Sequence, residues 1–479
     1  MKILLVLPAA EHVRVTRFHP DVPKRQMLRF SILGLTTVAA LTGPEHDVTI
    51  CDENVEALDL NADADLVGVS FMTALAPRAW EIANAFRRRG KTVVAGGFHP
   101  TLCPDETAGH VDAVVVGDAE GLWPQLLADF EAGRLKRVYR AVEPCDLAAV
   151  PAPRRDLTAS TARHYATTGA VQTGRGCAHG CRYCSITAFH RRTHRSRPLE
   201  AVLAELATVG RQFMFVDDNI IADRNYARRL FAAMAPMRKR WVAQCSLEIA
   251  DDAELLALAH RAGCRGLFIG IETLSEANLA AIDKGFNDSA GYMKRLRTIR
   301  RAGIGVQAGI IVGLDGDDVG VFERVLRFLD QARIDALQLN ILTPLPGTPM
   351  YEQFHRDGRI IDCDWGHYDF RHTVIRPARM TVAELQAGAD WLYRQYYRLD
   401  RILLRTLRAL RVGPVTAFLT WRLGMTYRYD NRREGIAGWN PARRKSRPAG
   451  LRAAVRQWVS ALVSRAAHGR RFAASQGRH

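Results

Sequence analysis

No stretch of the 479-residue sequence reaches the roughly 18 uncharged apolar residues that a membrane-spanning helix needs. Cysteine is sparse and odd in number, nine in all, so the chain is no disulfide framework. There is no repeat of fixed period and no low-complexity tract, which excludes solenoids and linker-dominated chains. Acidic residues are outnumbered, 50 against 67 Lys and Arg, for a net charge of +17. No nucleic-acid recognition motif accompanies that charge, so no nucleic acid partner is expected. The opening MKILLVL is too short an apolar run for a signal peptide and reads as a core strand; the expected location is cytoplasmic.

The sequence does have hydrophobic material, 48 % of residues, and it is patterned. Short apolar runs at 3–7, 48–51, 66–71, 92–95 and 113–116 read as strands, with helical spacing over 31–41 and 77–88. That alternation predicts a parallel sheet with helices on both faces. Val150-Pro-Ala-Pro-Arg-Arg155 marks a boundary. Six further strands are expected at 170–173, 213–216, 242–247, 267–271, 306–312 and 336–342, with helices at 199–209, 252–262 and 290–301 among them. Six βα units fit an incomplete barrel, although an open doubly wound sheet has a similar signature. Beyond residue 380 the chain reads as helical and basic, over 382–410 and 450–467. The expected domains are 1–150, 151–380 and 381–479.

Three cysteines fall within eight residues in Thr173-Gly-Arg-Gly-Cys177-Ala-His-Gly-Cys181-Arg-Tyr-Cys184, directly after a predicted strand. Thiolates suit zinc or iron–sulfur clusters. A structural zinc site closes with four ligands, and His179 or His190 could supply the fourth. A four-iron cube held by three thiolates instead keeps one iron open to a ligand.

The Cx3CxxC spacing with an aromatic before the last cysteine resembles the radical S-adenosylmethionine superfamily. That resemblance implies a 4Fe–4S cluster on Cys177, Cys181 and Cys184, with S-adenosylmethionine (SAM) bound at the open iron and cleaved to a 5′-deoxyadenosyl radical. It places Tyr183 near the adenine. It also assigns SAM contacts to three strand ends: Asp217 and Asp218 in Phe215-Val-Asp-Asp-Asn219, Glu272 in Gly270-Ile-Glu272-Thr, and Gly313 in Gly309-Ile-Ile-Val-Gly313.

Upstream, Ala95-Gly-Gly-Phe-His-Pro-Thr101, Gly117-Asp-Ala-Glu-Gly121 and Cys51-Asp-Glu-Asn54 are similar to the cobalamin-binding members of that class, as is Thr343-Pro-Leu-Pro-Gly-Thr-Pro-Met350. The resemblance covers residues 1 to about 395. It implies an α/β architecture: a Rossmann-like cobalamin-binding domain, a partial (βα)6 radical SAM barrel and a helical C-terminal region. The cobalamin contacts it implies are Ser70, Gly96, Gly97, His99, Thr101, Gly117 and Glu120. His99 has a second reading, a turn histidine satisfied by its neighbours. The Asp-x-His-x-x-Gly string that ligates cobalt in methionine-synthase-type domains is absent.

The implied activity is methyl transfer to an unactivated carbon: one SAM methylates cob(I)alamin and a second starts the radical. Oxidative cyclisation or rearrangement is the alternative on the same architecture, and a non-catalytic cobalamin sensor the alternative from another class. An external electron donor such as flavodoxin or ferredoxin is implied. The substrate class is a small molecule or a lipid, with peripheral membrane contact through the basic C-terminus as one reading of the Phe418, Trp421, Trp439 and arginine mixture.

Overall fold

The computed structural model describes residues 1–9, 31–141 and 143–433. Its first sheet is built from β1 (Lys2–Leu7), β2 (Asp47–Asp52), β3 (Leu66–Ser70), β4 (Thr92–Gly96), β5 (Ala113–Val116) and β6 (Val138–Arg140), in the order β2-β1-β3-β4-β5-β6. Every pair is parallel. Side chains alternate between two apolar layers. Val6, Val69 and Ala95 pack with Ile82 and Phe86 of the helix Ala76–Arg87. Leu5, Val94 and Val115 pack with Leu35 and Trp123 on the other face. The sequence reading gave five of these strands; β6 is the addition.

The order reverses at β1, because β2 lies on one side of it and β3 on the other. In parallel α/β sheets such a switch point opens a crevice at the carboxyl ends of the strands.

The second unit contributes β7 (Ala170–Val171), a small antiparallel hairpin of β8 (Gly174–Gly176) and β9 (His194–Ser196), then β10 (Gln212–Phe215), β11 (Arg240–Cys245), β12 (Cys264–Glu272), β13 (Gly305–Val312) and β14 (Ala336–Ile341). Its main sheet runs β14-β13-β12-β11-β10-β7, all parallel and in simple chain order. The helices that connect successive strands, such as Arg224–Met234, Tyr292–Arg301 and Val321–Ala332, pack on one face, as crossovers of one hand require. One continuous core holds that face, with Phe215, Trp241, Ile269, Ile310 and Leu339 packed on helix residues such as Leu230, Leu296 and Phe322. This is the incomplete barrel, and the doubly wound alternative does not apply to this unit.

After the barrel, the expected single helix over 382–410 is two, Val382–Tyr396 and Leu399–Ala409, followed by Pro414–Arg433. The first starts on a capping box between Thr381 and Glu384. It covers the free edge of β14. The Tyr397 hydroxyl accepts from the Leu337 N–H at 2.9 Å and donates to the Leu337 carbonyl at 2.7 Å, and Tyr393 does the same for Leu339. An open strand edge is thereby satisfied without another strand. The last two helices pack at the amino ends of the strands: Thr416 meets Gly305 and Arg265, and Tyr427 meets Gln307. They close the bottom of the barrel, opposite the ends that carry the cysteines. The expected helix at 450–467, and Trp439, lie outside the described residues.

Tyr397 is 1 % exposed, so Tyr397→Phe leaves a buried N–H and C=O of Leu337 unpaired. A loss of about 1–3 kcal/mol is expected, read as a lower denaturation midpoint; an unchanged midpoint contradicts the edge-capping role.

Candidate active site

The cysteine loop leaves β7, forms the β8–β9 hairpin and carries the three thiols. Its start is pinned by one carboxylate. Asp217, 3 % exposed, accepts from the Thr173 N–H at 3.0 Å, the Thr173 hydroxyl at 2.6 Å and the Gly174 N–H at 2.8 Å. Burial raises its pKa to about 7. Asp218 accepts from the Gly176 N–H at 2.9 Å, and burial raises it to about 6. Gly176 has a φ of +83°, and a Cβ there would run into the Thr193 carbonyl. Asp217 is therefore occupied by the loop itself, and the sequence reading that gave it to SAM misses this use of it.

Burial pushes all three thiols up, Cys181 to about 11. The lysine that draws Cys177 and Cys181 back is Lys284, 8 % exposed. Its Nζ lies 2.7 Å from Glu272 and 3.5 Å from the Tyr183 hydroxyl. Glu272 has a φ of +65° and follows a register shift between β12 and β13, which turns its side chain toward this group. Tyr183 packs on the apolar cluster of Ile282, Leu314 and Met350. Gly313, φ +97°, donates its N–H to Asp317 at 3.0 Å, and a Cβ there would meet Leu385 at 2.7 Å.

In the first unit, a cavity of about 350 Å³ opens at the carboxyl ends of the strands. Ser70, Gly96, Gly97, Gly117 and Glu120 line it, together with Gly68 and Trp123 deeper in the sheet. The second unit lines the same cavity with Gln172, Arg175, Ile186, Phe189, His190 and Asp218. Thr101 stands behind the wall, accepting from the Gly117 N–H at 2.9 Å. His99 is withdrawn altogether: it is 0 % exposed, boxed by Phe71, Trp80 and Trp365, with Glu106 at 3.5 Å. The ring does not make the cofactor contact expected of His99, because it faces the aromatic layer; its Nδ1 lies 3.4 Å from the Thr73 hydroxyl and its Nε2 has no hydrogen bond, so it is not the satisfied turn histidine either.

The two histidines that could close a zinc site are otherwise engaged. His179 stacks on Phe286 at 3.7 Å and pairs with Glu248, while His190 lies beside Arg195. Bonds of about 2.3 Å to a tetrahedral zinc would gather sulfurs within about 3.8 Å of one another. Among the described residues the ligand sets drawn within 4.8 Å are His99–Cys103–Glu106 and Asp118–Glu120–Cys145; the three cysteines stand wider apart.

Residues 171–329 match the family model of the radical SAM superfamily, and residues 30–127 match the B12 binding domain. The bacteriochlorophyllide d C-12(1)-methyltransferase of Chlorobaculum tepidum is 30 % identical over 78 % of this chain and 84 % of its own length. This chain belongs to the cobalamin-binding radical SAM family. The hopanoid C-2 methylase of Rhodopseudomonas palustris is 30 % identical over 69 % of this chain and 65 % of its own. The anaerobic magnesium-protoporphyrin IX monomethyl ester cyclase of Cereibacter sphaeroides is 24 % identical over 75 % and 63 %. The fold is also that of the radical SAM methyltransferase TsrM from Kitasatospora setae, solved with cobalamin and a 4Fe–4S cluster: TM-score 0.65, 17 % identity, 90 % of this chain and 99 % of that one.

As a radical SAM protein the chain offers three free thiols on one loop. As a cobalamin protein it offers a cradle. A Cβ added at Gly34 or Gly117 would meet no atom within 4 Å, so both glycines face open space, and both line the cavity. Residues that motif reasoning passed over are Lys284, Asp118, Arg175, Arg195 and Phe189. Asp118 and Arg175 lay inside the quoted strings, but nothing local in a sequence shows that they meet.

Asp217→Ala strips the acceptor from three buried donors, each costing about 1–3 kcal/mol when unpaired. Reconstituted protein is expected to hold under half the wild-type iron per chain, with Asp217→Asn in between; full iron loading of the alanine variant contradicts the anchoring role.

Proposed function

We propose that this protein methylates an unactivated carbon of a small hydrophobic molecule or lipid, using a 4Fe–4S cluster, SAM and cobalamin. One observation carries this reading: residues assigned to cobalamin and residues beside the cysteine loop line one cavity. When bound, the cluster and SAM supply a radical initiator, and cobalamin supplies a transferable methyl group.

The chain's own groups then have positional tasks. Cys177, Cys181 and Cys184 hold the cluster. Lys284 offsets thiolate charge in a site where burial opposes it. Asp218 and Glu272 offer carboxylate oxygens to the SAM ammonium or ribose hydroxyls, Tyr183 borders the adenine, and Gly313 lets backbone approach it. Ser70, Gly96, Gly97 and Gly117 allow close approach of a large planar ring. Phe98 and Phe189, 4.8 Å apart across the two units, keep water from the space between. No general acid or base is required of the protein.

An electron must come from outside, and a flavodoxin or ferredoxin is the donor we assign. Peripheral membrane contact has its own support. No helix among the described residues is long and apolar enough to cross a membrane. However, Leu403, Leu407 and Leu410 are 45 %, 63 % and 54 % exposed on the closing helices, amid Arg401, Arg408 and Arg411. Flotation with anionic vesicles at low salt is expected and should be lost in high salt; protein left unbound at low salt rules this contact out.

Cyclisation on the same cofactors is the second reading, favoured by the similar cyclase. Anaerobic reconstituted protein with SAM, reductant and a lysate extract as substrate source is expected to form 5′-deoxyadenosine and S-adenosylhomocysteine, and Cys184→Ser to form neither. Deoxyadenosine alone transfers the assignment to the cyclase reading, and no deoxyadenosine leaves the sensor.

A further inference from the structure

The hairpin that leads into Cys177 contains an electrostatic conflict. Arg175 on β8 is paired directly opposite Arg195 on β9. Like charges facing each other across an antiparallel pair destabilise it. Both side chains are mostly buried, 15 % and 20 % exposed, so water screens them poorly.

The conflict is resolved by the other unit. Asp118, on the turn after β5, puts one carboxylate oxygen 2.9 Å from Arg175 and the other 2.8 Å from Arg195. Glu120, two residues on, binds the second nitrogen of Arg175. Arg195 also donates to the Cys145 carbonyl at 2.7 Å. Two positive and two negative groups thus form a neutral quartet between the units. Apolar packing would join the units at lower desolvation cost; a paired quartet also fixes the register of what it joins.

That turn is a wall of the cavity. Gly117, Asp118, Ala119 and Glu120 all line it, and Arg175 lines it from the other side. Gly117 holds a φ of +95° with its N–H fixed by Thr101, so the turn has little freedom to yield independently. A ligand that fills the cavity bears on the carboxylates that hold the cysteine hairpin together.

We propose that Arg175 and Arg195, clamped by Asp118 and Glu120, are positioning residues that couple the corrinoid cavity to the SAM site at the cluster. The proposal rests on the cobalamin and radical SAM reading. A filled cavity orders the turn, the ordered turn holds the quartet, and the quartet holds the loop in its SAM-binding form. Coupling of this kind is reciprocal: each ligand changes the other's affinity by the same factor.

The test measures SAM binding by equilibrium dialysis on cluster-reconstituted protein, with and without hydroxocobalamin. Wild type is expected to bind SAM about 5-fold or more tightly when cobalamin is present, the low end of typical coupling. The reciprocal titration should give the same factor. Arg175→Met and Asp118→Asn, compared with wild type at matched iron and cobalamin loading, are expected to bring the factor below about 2-fold. Asp118→Asn leaves the cysteine loop's own sequence intact, so it stands if Arg175→Met loads poorly. Arg175→Lys, which keeps one charge but not the fork, should recover part of the factor. An unchanged factor in Asp118→Asn overturns the proposal, as does a factor of one in wild type carrying both cofactors. Wild type that takes up neither iron nor cobalamin fails earlier, at the reading on which the proposal rests.

Discussion

The Asp217 carboxylate is the constraint on which the site depends. A loop with glycines at 174, 176 and 180 has many conformations available, and folding it around a ligand costs entropy. Asp217 collects the Thr173 and Gly174 donors at the carboxyl end of β10, so the loop starts from one fixed direction. The position of Cys177, Cys181 and Cys184 relative to the barrel follows from that anchor. So does the reach of Arg175 toward the first unit.

Two parallel sheets then present their carboxyl edges to a single cavity. In the first, the order reversal at β1 opens a crevice above Ser70 and Gly96. In the second, sequential strand order curves the sheet and leaves the strand ends on its rim. Neither unit encloses the cavity alone. The closing helices seal the barrel at the opposite end, so the exposed leucines there have no part in shaping the mouth. A membrane contact through them would hold the enzyme at a surface with its mouth turned away.

Much of this was legible in the sequence, and the exceptions have physical causes. Eleven predicted strands match observed ones within a few residues, because buried parallel strands are continuous apolar runs. β6 was missed because only Tyr139 of its three residues is buried. The β8–β9 hairpin was missed because Gly-Arg-Gly and His-Arg-Ser have no apolar alternation to show. The cysteines were readable because their spacing is local. Asp217, His99 and Lys284 were not: the first is spent on backbone donors, the second turned into an aromatic layer, the third brought to the thiols by the path of the chain after β12. Their roles depend on neighbours distant in sequence, and one sequence does not show who those neighbours are.

The central claim is that the three-cysteine loop and the glycine-lined cavity are sites for a four-iron cluster and a corrinoid. Metal analysis of protein expressed with iron, sulfide and cobalamin in supply and purified without oxygen tests it most directly. Four iron and one cobalt per chain, with no stoichiometric zinc, is the predicted result. One zinc per chain lost on replacing the three cysteines, with no cobalt, would contradict the account.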